Sequence, residues 1–345
     1  MDEYENYYFK IKNNWDLIAK PLDSLGKLEN LISQIGAIQK KVYPSIKKSI
    51  VLILCSDNGI VEEGVSQSEQ NVTKICARNI AAKKTTVGII AKSSHTKIKV
   101  VDLGINSSEK IKNVVDKKIC KGTRNFSKES AMTFNEMQCA IKIGEELVKE
   151  CKAKKYDIIC VGEMGIGNTT TATAISASLL KCDINDIKKI VGRGAGLSDE
   201  GLNKKNWVIQ NAIKKYNLYS KSPLEILQSV GGFDIAGMLG IFLGAKKYEV
   251  PVVLDGFVSF AAALVAQSLD SEITKYLIPS HKSREPLTNE IIKKLNLSPI
   301  LDADMALGEG SGAVLLVNII KVALEVYKKT VPFKKSGVEQ YKRYD

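Results

Sequence analysis

Short β-rich runs alternate along the chain with longer helical patterns. This predicts an α/β fold: a three-layer α/β/α arrangement around a mostly parallel, Rossmann-like sheet. Two further observations shape the expectation. Glycine-rich loops follow the strands, and both chain ends are helical with no strand beside them. The ends therefore predict a small, mainly helical domain from residues 1–48 and 311–345. Residues 49–310 form a large α/β domain that carries the substrate site.

Residues 1–48 place apolar side chains at helical spacing, with KPLDSLGKLE at 20–29 as an irregular break. SIVLILC, 49–55, is the first strand and ends in the turn signal SDNG. KIKVVDL (97–103), YDIICV (156–161), VPVVL (250–254) and KYLIP (275–279) are the others. Helical patterns occupy 134–152, 170–182, 204–217, 234–248, 257–269 and 311–328. The tail from 329 onward is basic and expected to be loosely held.

The 345 residues carry a formal charge of +12, but only five arginines: Arg78, Arg124, Arg193, Arg284 and Arg343. Arginine is the preferred bidentate reader of phosphates and guanines. The charge is therefore read as a lysine-rich solvated surface, not a nucleic-acid face. The cysteines Cys55, Cys76, Cys120, Cys139, Cys151, Cys160 and Cys182 are odd in number and contain no C-x-x-C. They point to a reducing compartment. With only His95 and His281, and no close Cys/His cluster, no zinc site is expected. The N-terminus lacks the basic and apolar regions of a signal peptide, and the apolar run 250–269 is broken by Asp255. A cytoplasmic protein follows as the expectation.

Ligands of parallel α/β sheets bind beyond the carboxyl ends of the strands. After YDIICV comes GEMGIGNTTT, 162–171. It is one residue away from a P-loop, with Asn168 in the lysine position. It also fails the dinucleotide fingerprint, with Thr170 in place of the third glycine. Gly165 and Gly167 permit close backbone approach, and the following helix start favours an anion. Asn168, Thr169 and Thr170 add side-chain donors. Without the lysine that serves β- and γ-phosphates, the loop suits a single phosphate monoester. A glycine turn with a threonine-rich N-terminus is the other reading.

The polar loop SDNGIVEEGVSQSEQNVT reads better as surface than as pocket. VGRGAGLSDEG, 191–201, offers Arg193 to an anion, and Ser198 with Asp199 marks a helix start. In SVGGFDIAGMLG, Asp234 reads as the cap of the next helix. After VPVVL stands a single acid, Asp255, followed by Gly256 and Phe257. That speaks against the paired acids of a pyrophosphate–magnesium site. LGEGSGA, 307–313, holds Glu309 between glycines beside Leu307. Partial burial there makes a general base. An acid favoured by the helix dipole fits equally well.

Together these segments resemble the nicotinate-nucleotide:dimethylbenzimidazole phosphoribosyltransferase family. The resemblance runs in order through KPLDSLGKLE, DNGIVEEGVSQ, VVDLGI, GTRNF, GEMGIGNTTTATA, VGRGAGLSDEGL, VGGFDIAGM, VLDGFVSFAAAL, SHKSREP and LGEGSGA. It implies transfer of phosphoribose from nicotinate mononucleotide to 5,6-dimethylbenzimidazole, with inversion at the anomeric carbon. It also implies a homodimer that needs no metal or organic cofactor. By the same matching, Glu309 is the catalytic glutamate and Glu163 a second, supporting one. Gly165, Asn168, Thr169, Gly194, Lys205 and Ser283 surround the phosphate and ribose, and Met164 and Leu307 meet the acceptor ring.

The chain departs from the family's S-A-Y-P and V-T-x-Q-M at Ser66–Glu69 and Val72–Cys76. The tyrosine and glutamine that enclose dimethylbenzimidazole are Ser68 and Ile75 here. Loss of an aromatic wall and an orienting amide predicts a broader choice of base: benzimidazole, a substituted benzimidazole, adenine or a phenol. A non-catalytic nucleotide-binding protein, or a partner subunit requiring a paralogue, is the alternative. The presence of Glu309 argues against an inactive partner subunit.

Overall fold

The computed structural model describes residues 1–344. Six strands form one parallel sheet: β1 Ser49–Ser56, β2 Lys97–Gly104, β3 Val114–Asp116, β4 Ile158–Met164, β5 Val252–Leu254 and β6 Leu277–Pro279. Their order is β3-β2-β1-β4-β5-β6, with every pairing parallel. The order reverses between β1 and β4, where Leu54 pairs with Glu163 and Cys55 with Met164. Connections leave the sheet in opposite directions at this point and open a crevice at the strand ends.

β1 is buried along its whole length, which is why it reads as an unbroken apolar run. Its alternate residues feed two cores. Leu52 and Leu54 pack with helices Phe134–Ala153, Asn168–Leu179, Phe233–Tyr248 and Phe257–Leu269 on one face. Val51, Ile53 and Cys55 pack with the other layer. There Ile11 and Trp15 of Glu3–Asp16, Ile32 and Ile35 of Lys27–Gln39, and Val314, Val317 and Ile320 of Ser311–Lys329 share one core. The helices of both chain ends thus meet each other and lie directly on the sheet. No helix among the described residues is long and apolar enough to cross a membrane.

The expected strands and helices are present, with shifted ends. The sequence reading omits β3, an edge strand of three partly exposed residues. It also omits helices Asn71–Ala81, Thr86–Ser93 and Pro223–Val230. The tail, whose last residue lies outside the described ones, is largely exposed but touches the body at two points. Phe333 is buried, and Arg343 donates to both Asp16 and Asp23 at 2.7 Å.

Helices Phe134–Ala153 and Phe233–Tyr248 touch backbone to backbone at Gly144, Gly237 and Gly240. A Cβ on Gly144 would stand 2.1 Å from the Gly237 carbonyl oxygen. Neither helix can retreat without opening the core beneath it. Gly144→Ala is expected to lower the unfolding free energy by about 2 kcal/mol or more. The urea midpoint should fall at unchanged slope; a wild-type midpoint would contradict this packing.

Candidate active site

A cleft of about 300 Å³ opens at the carboxyl ends of β4 and β5, closed in by the segments that follow β1 and β6. Its floor is the end of β4, Glu163 and Met164, followed by the turn Gly165–Gly167. The turn presses on the loop after β1. A Cβ on Gly165 would lie 2.3 Å from the Ser56 carbonyl oxygen. Gly167 has φ +93° and leads into the helix Asn168–Leu179, whose first turn faces the cleft.

Asn168 does not present its amide to the cleft as a free donor. Its Nδ2 donates to Glu163 Oε2 and, at 3.0 Å, to Asp234 Oδ2. Both neighbours are carboxylates, so only the amide NH2 can face them. Burial, then the nearby Asp234 carboxylate, pushes the Glu163 pKa up to about 8, against the pull of Asn168. Burial raises Asp234 to about 6, opposed by Asn168 and by the Ile235 N–H. Asp234 is not the helix cap expected from sequence; Gly232 occupies that position. Thr170 is fully buried in the core, outside the cleft.

The loop after β4 has no lysine of its own, but another helix supplies one. Lys205, from Asp199–Lys215, donates from Nζ to Thr169 Oγ1 and to the Gly192 carbonyl, both at 3.0 Å. It is 0 % exposed. Among the described residues no carboxylate is in ion-pair contact with it. Burial lowers its pKa to about 8, with Glu285 acting the other way. An ammonium carries three donors, so one N–H remains uncommitted. Thr169 and Gly194, its neighbours, line the cleft. Arg193 also lines it, but its guanidinium is tied to the Leu197 carbonyl and to Asp199.

Glu309 stands opposite, on a turn of three left-handed residues: Gly308 at φ +84°, Glu309 at +60° and Gly310 at +82°. A side chain other than glycine is strained there. Asp255, at the end of β5, holds the turn in place. Its Oδ2 accepts the Gly310 N–H at 3.0 Å, and its Oδ1 accepts those of Gly312 and Ala313 at 2.8 and 3.1 Å. Gly162 of β4 supplies clearance, since a Cβ there would meet the Glu309 carbonyl oxygen at 2.6 Å. The buried Oε2 of Glu309 has no hydrogen-bond partner among the described residues. Burial raises its pKa, with Thr85 and the Val87 N–H pulling down. His281 lines the cleft beside Asp255, and burial depresses it to about 4, leaving a neutral imidazole.

Ser66, Ser68, Ser283 and Leu307 also line the cleft. Ile75 does not. It is 42 % exposed, and Val72 and Cys76 are the members of its helix that reach the cleft. Sequence reading also misplaces the loop after β1. Asp57 and Asn58 are 1 % exposed, and Asn58 takes the Thr171 hydroxyl at 3.3 Å. Neither lines the cleft; Asn58 backs the Gly165–Gly167 turn, and Val65, Ser66, Gln67 and Ser68 are the loop residues that line it.

Comparison with known proteins agrees with this geometry. A family model described as phosphoribosyltransferase matches residues 4–338. The nicotinate-nucleotide–dimethylbenzimidazole phosphoribosyltransferase of Clostridium perfringens is 42 % identical over 330 residues, covering 96 % of this chain and 91 % of its own. That of Clostridioides difficile is 40 % identical over 94 % of this chain and 92 % of its own. The crystal structure of CobT from Thermus thermophilus superposes with a TM-score of 0.91 at 31 % identity, covering 97 % of this chain and 100 % of its own. The chain belongs to the phosphoribosyltransferase family that its strand-end glycine loops and its LGEG turn suggest.

Proposed function

We propose that this chain moves phosphoribose from nicotinate mononucleotide to a ring nitrogen of 5,6-dimethylbenzimidazole or a related base. The products are an α-ribazole-type 5′-phosphate and nicotinate. One observation carries the reading beyond family membership: the cleft has two chemically opposite poles. At one, behind Thr169 and Gly194 of the lining, lies the buried Lys205 ammonium, which makes no ion pair among the described residues. At the other, a partly buried carboxylate lacks a hydrogen-bond partner on one oxygen.

In this reading the 5′-phosphate lies on the first turn of the Asn168–Leu179 helix and completes Lys205. Gly165, Gly167, Thr169, Gly194 and Ser283 surround phosphate and ribose. The acceptor ring lies against Met164 and Leu307, near Ser66 and Ser68. Its nitrogen attacks the anomeric carbon from the face opposite nicotinate. The bond to the pyridinium breaks with its electron pair returning to the ring, so nicotinate leaves neutral at nitrogen. Glu309 takes the proton that the acceptor N–H loses. Asn168 acts on Glu163, not on the phosphate. A homodimer in the cytoplasm, with 1–48 and 311–345 as its small unit and small molecules as its partners, completes the proposal.

The acceptor wall supports a broad choice of base. Ser68 offers no ring, and Val72 and Cys76, not Ile75, face the cleft. The purified chain is to be given nicotinate mononucleotide with dimethylbenzimidazole, benzimidazole, adenine and a phenol in competition. Nicotinate release with transfer to more than one base is expected. Transfer to dimethylbenzimidazole alone would contradict the broad pocket, and no release with any base would contradict the reaction. Glu309→Gln should lower turnover by roughly 100- to 10,000-fold with an unchanged melting curve. Near-normal turnover removes Glu309 from the proton-accepting role.

A further inference from the structure

Glu163 and Asp234 are two carboxylates joined by one neutral amide. Asn168 gives an N–H to each, and among the described residues no cation is in ion-pair contact with either. The other ionisable groups acting on the pair are also acidic. They are Asp57 after β1, the Cys55 thiol within β1, Asp255 after β5 and Glu309 on its turn. Two negative charges at such a site cannot both persist without a counter-charge. One carboxyl of the pair holds a proton.

The surroundings say which one. Asp234 sits in the first turn of Phe233–Tyr248, where the helix dipole favours an anion. It also accepts the Ile235 N–H at 3.0 Å. Among the described residues Glu163 has only the Asn168 donor, and that donor occupies Oε2. The remaining oxygen, Oε1, lies against Gly308 at the cleft surface, one residue from Glu309. A Cβ on Gly308 would stand 2.6 Å from it. A proton on Oε1 removes the repulsion between the two glutamates and turns that oxygen into a donor.

We propose that Glu163 works as a neutral carboxylic acid, presenting an O–H from Oε1 to an oxygen of the bound donor. Asp234, through Asn168, is the positioning residue that keeps the proton there. The inference rests on the transfer reaction proposed above and adds a protonation state to it. Glu309 must be ionised, and Glu163 and Lys205 protonated, so kcat/KM rises through the first titration and falls through the other two. Loss of the Asp234 charge makes ionisation of Glu163 easier and moves the falling limb to lower pH.

Two readouts test this. In Asp234→Asn the alkaline limb of kcat/KM should move down by about one pH unit or more. In Glu163→Gln, which keeps a donor but cannot ionise, only the fall that belongs to Lys205 should remain, and adding Asp234→Asn should no longer move it. Infrared spectra of the full chain without substrate report the same proton directly. The carbonyl stretch of a protonated carboxyl should be present at neutral pH and missing in Glu163→Gln. In Asp234→Asn it should disappear at lower pH than in the wild type. Such a band in a chain that transfers to no base supports the proton assignment while contradicting the reaction. A uniform loss of activity in Asp234→Asn, with the limb unmoved, makes Asp234 structural and overturns the proposal. So does the absence of a band that Glu163→Gln removes.

Discussion

Lys205 is a buried cation that makes no ion pair among the described residues, with Glu285 acting on it only from a distance. Its ammonium rests on a threonine hydroxyl and a backbone carbonyl, both neutral, and no carboxylate among the described residues is in contact with it. Burying an uncompensated charge is costly, and the depressed pKa is the sign of that cost. A side chain of this kind is stable in place when the fold forces it there and when a ligand supplies the missing charge. The rest of the cleft follows from that asymmetry. In the proposed reaction an anion binds at one end, and the acids are gathered at the other, beyond β4 and β5.

The two ends are built differently. The cationic end relies on a helix start and a lysine reaching from another helix. The acidic end relies on Asp255, which binds three backbone N–H groups and so fixes a turn that glutamate would otherwise avoid. Both ends depend on glycines that let backbone meet backbone, notably Gly162 under the Glu309 turn and Gly165 against β1. Precision here comes from the sheet: β4 carries Glu163 and Gly162, and it pairs with β1 on one side and β5 on the other.

Much of this was legible in the sequence, for identifiable reasons. β1, buried on both faces, could only be written as a continuous apolar run. Glu309 was visible because a charged residue between glycines is locally conspicuous. The lysine position filled by Asn168 was visible as a departure from a pattern. What Asn168 does was not, because its partner Asp234 lies 66 residues further on. Asp255 looked like a motif missing its second acid, since the groups it binds are 55 to 58 residues away. The family motif puts Ile75 at the acceptor, whereas the helical turn carries Val72 and Cys76 into the cleft instead. The short strand β3 escaped because three partly exposed residues leave no pattern.

The central claim is that Lys205 waits for a phosphate. Calorimetric binding of nicotinate mononucleotide and of the corresponding nucleoside, which lacks the phosphate, to the wild type and to Lys205→Met tests it most directly. The account predicts that the substitution weakens the nucleotide by roughly 10- to 100-fold, the scale of one charge-assisted hydrogen bond, and leaves the nucleoside unchanged. Equal losses for both ligands, or no loss for the nucleotide, would contradict it.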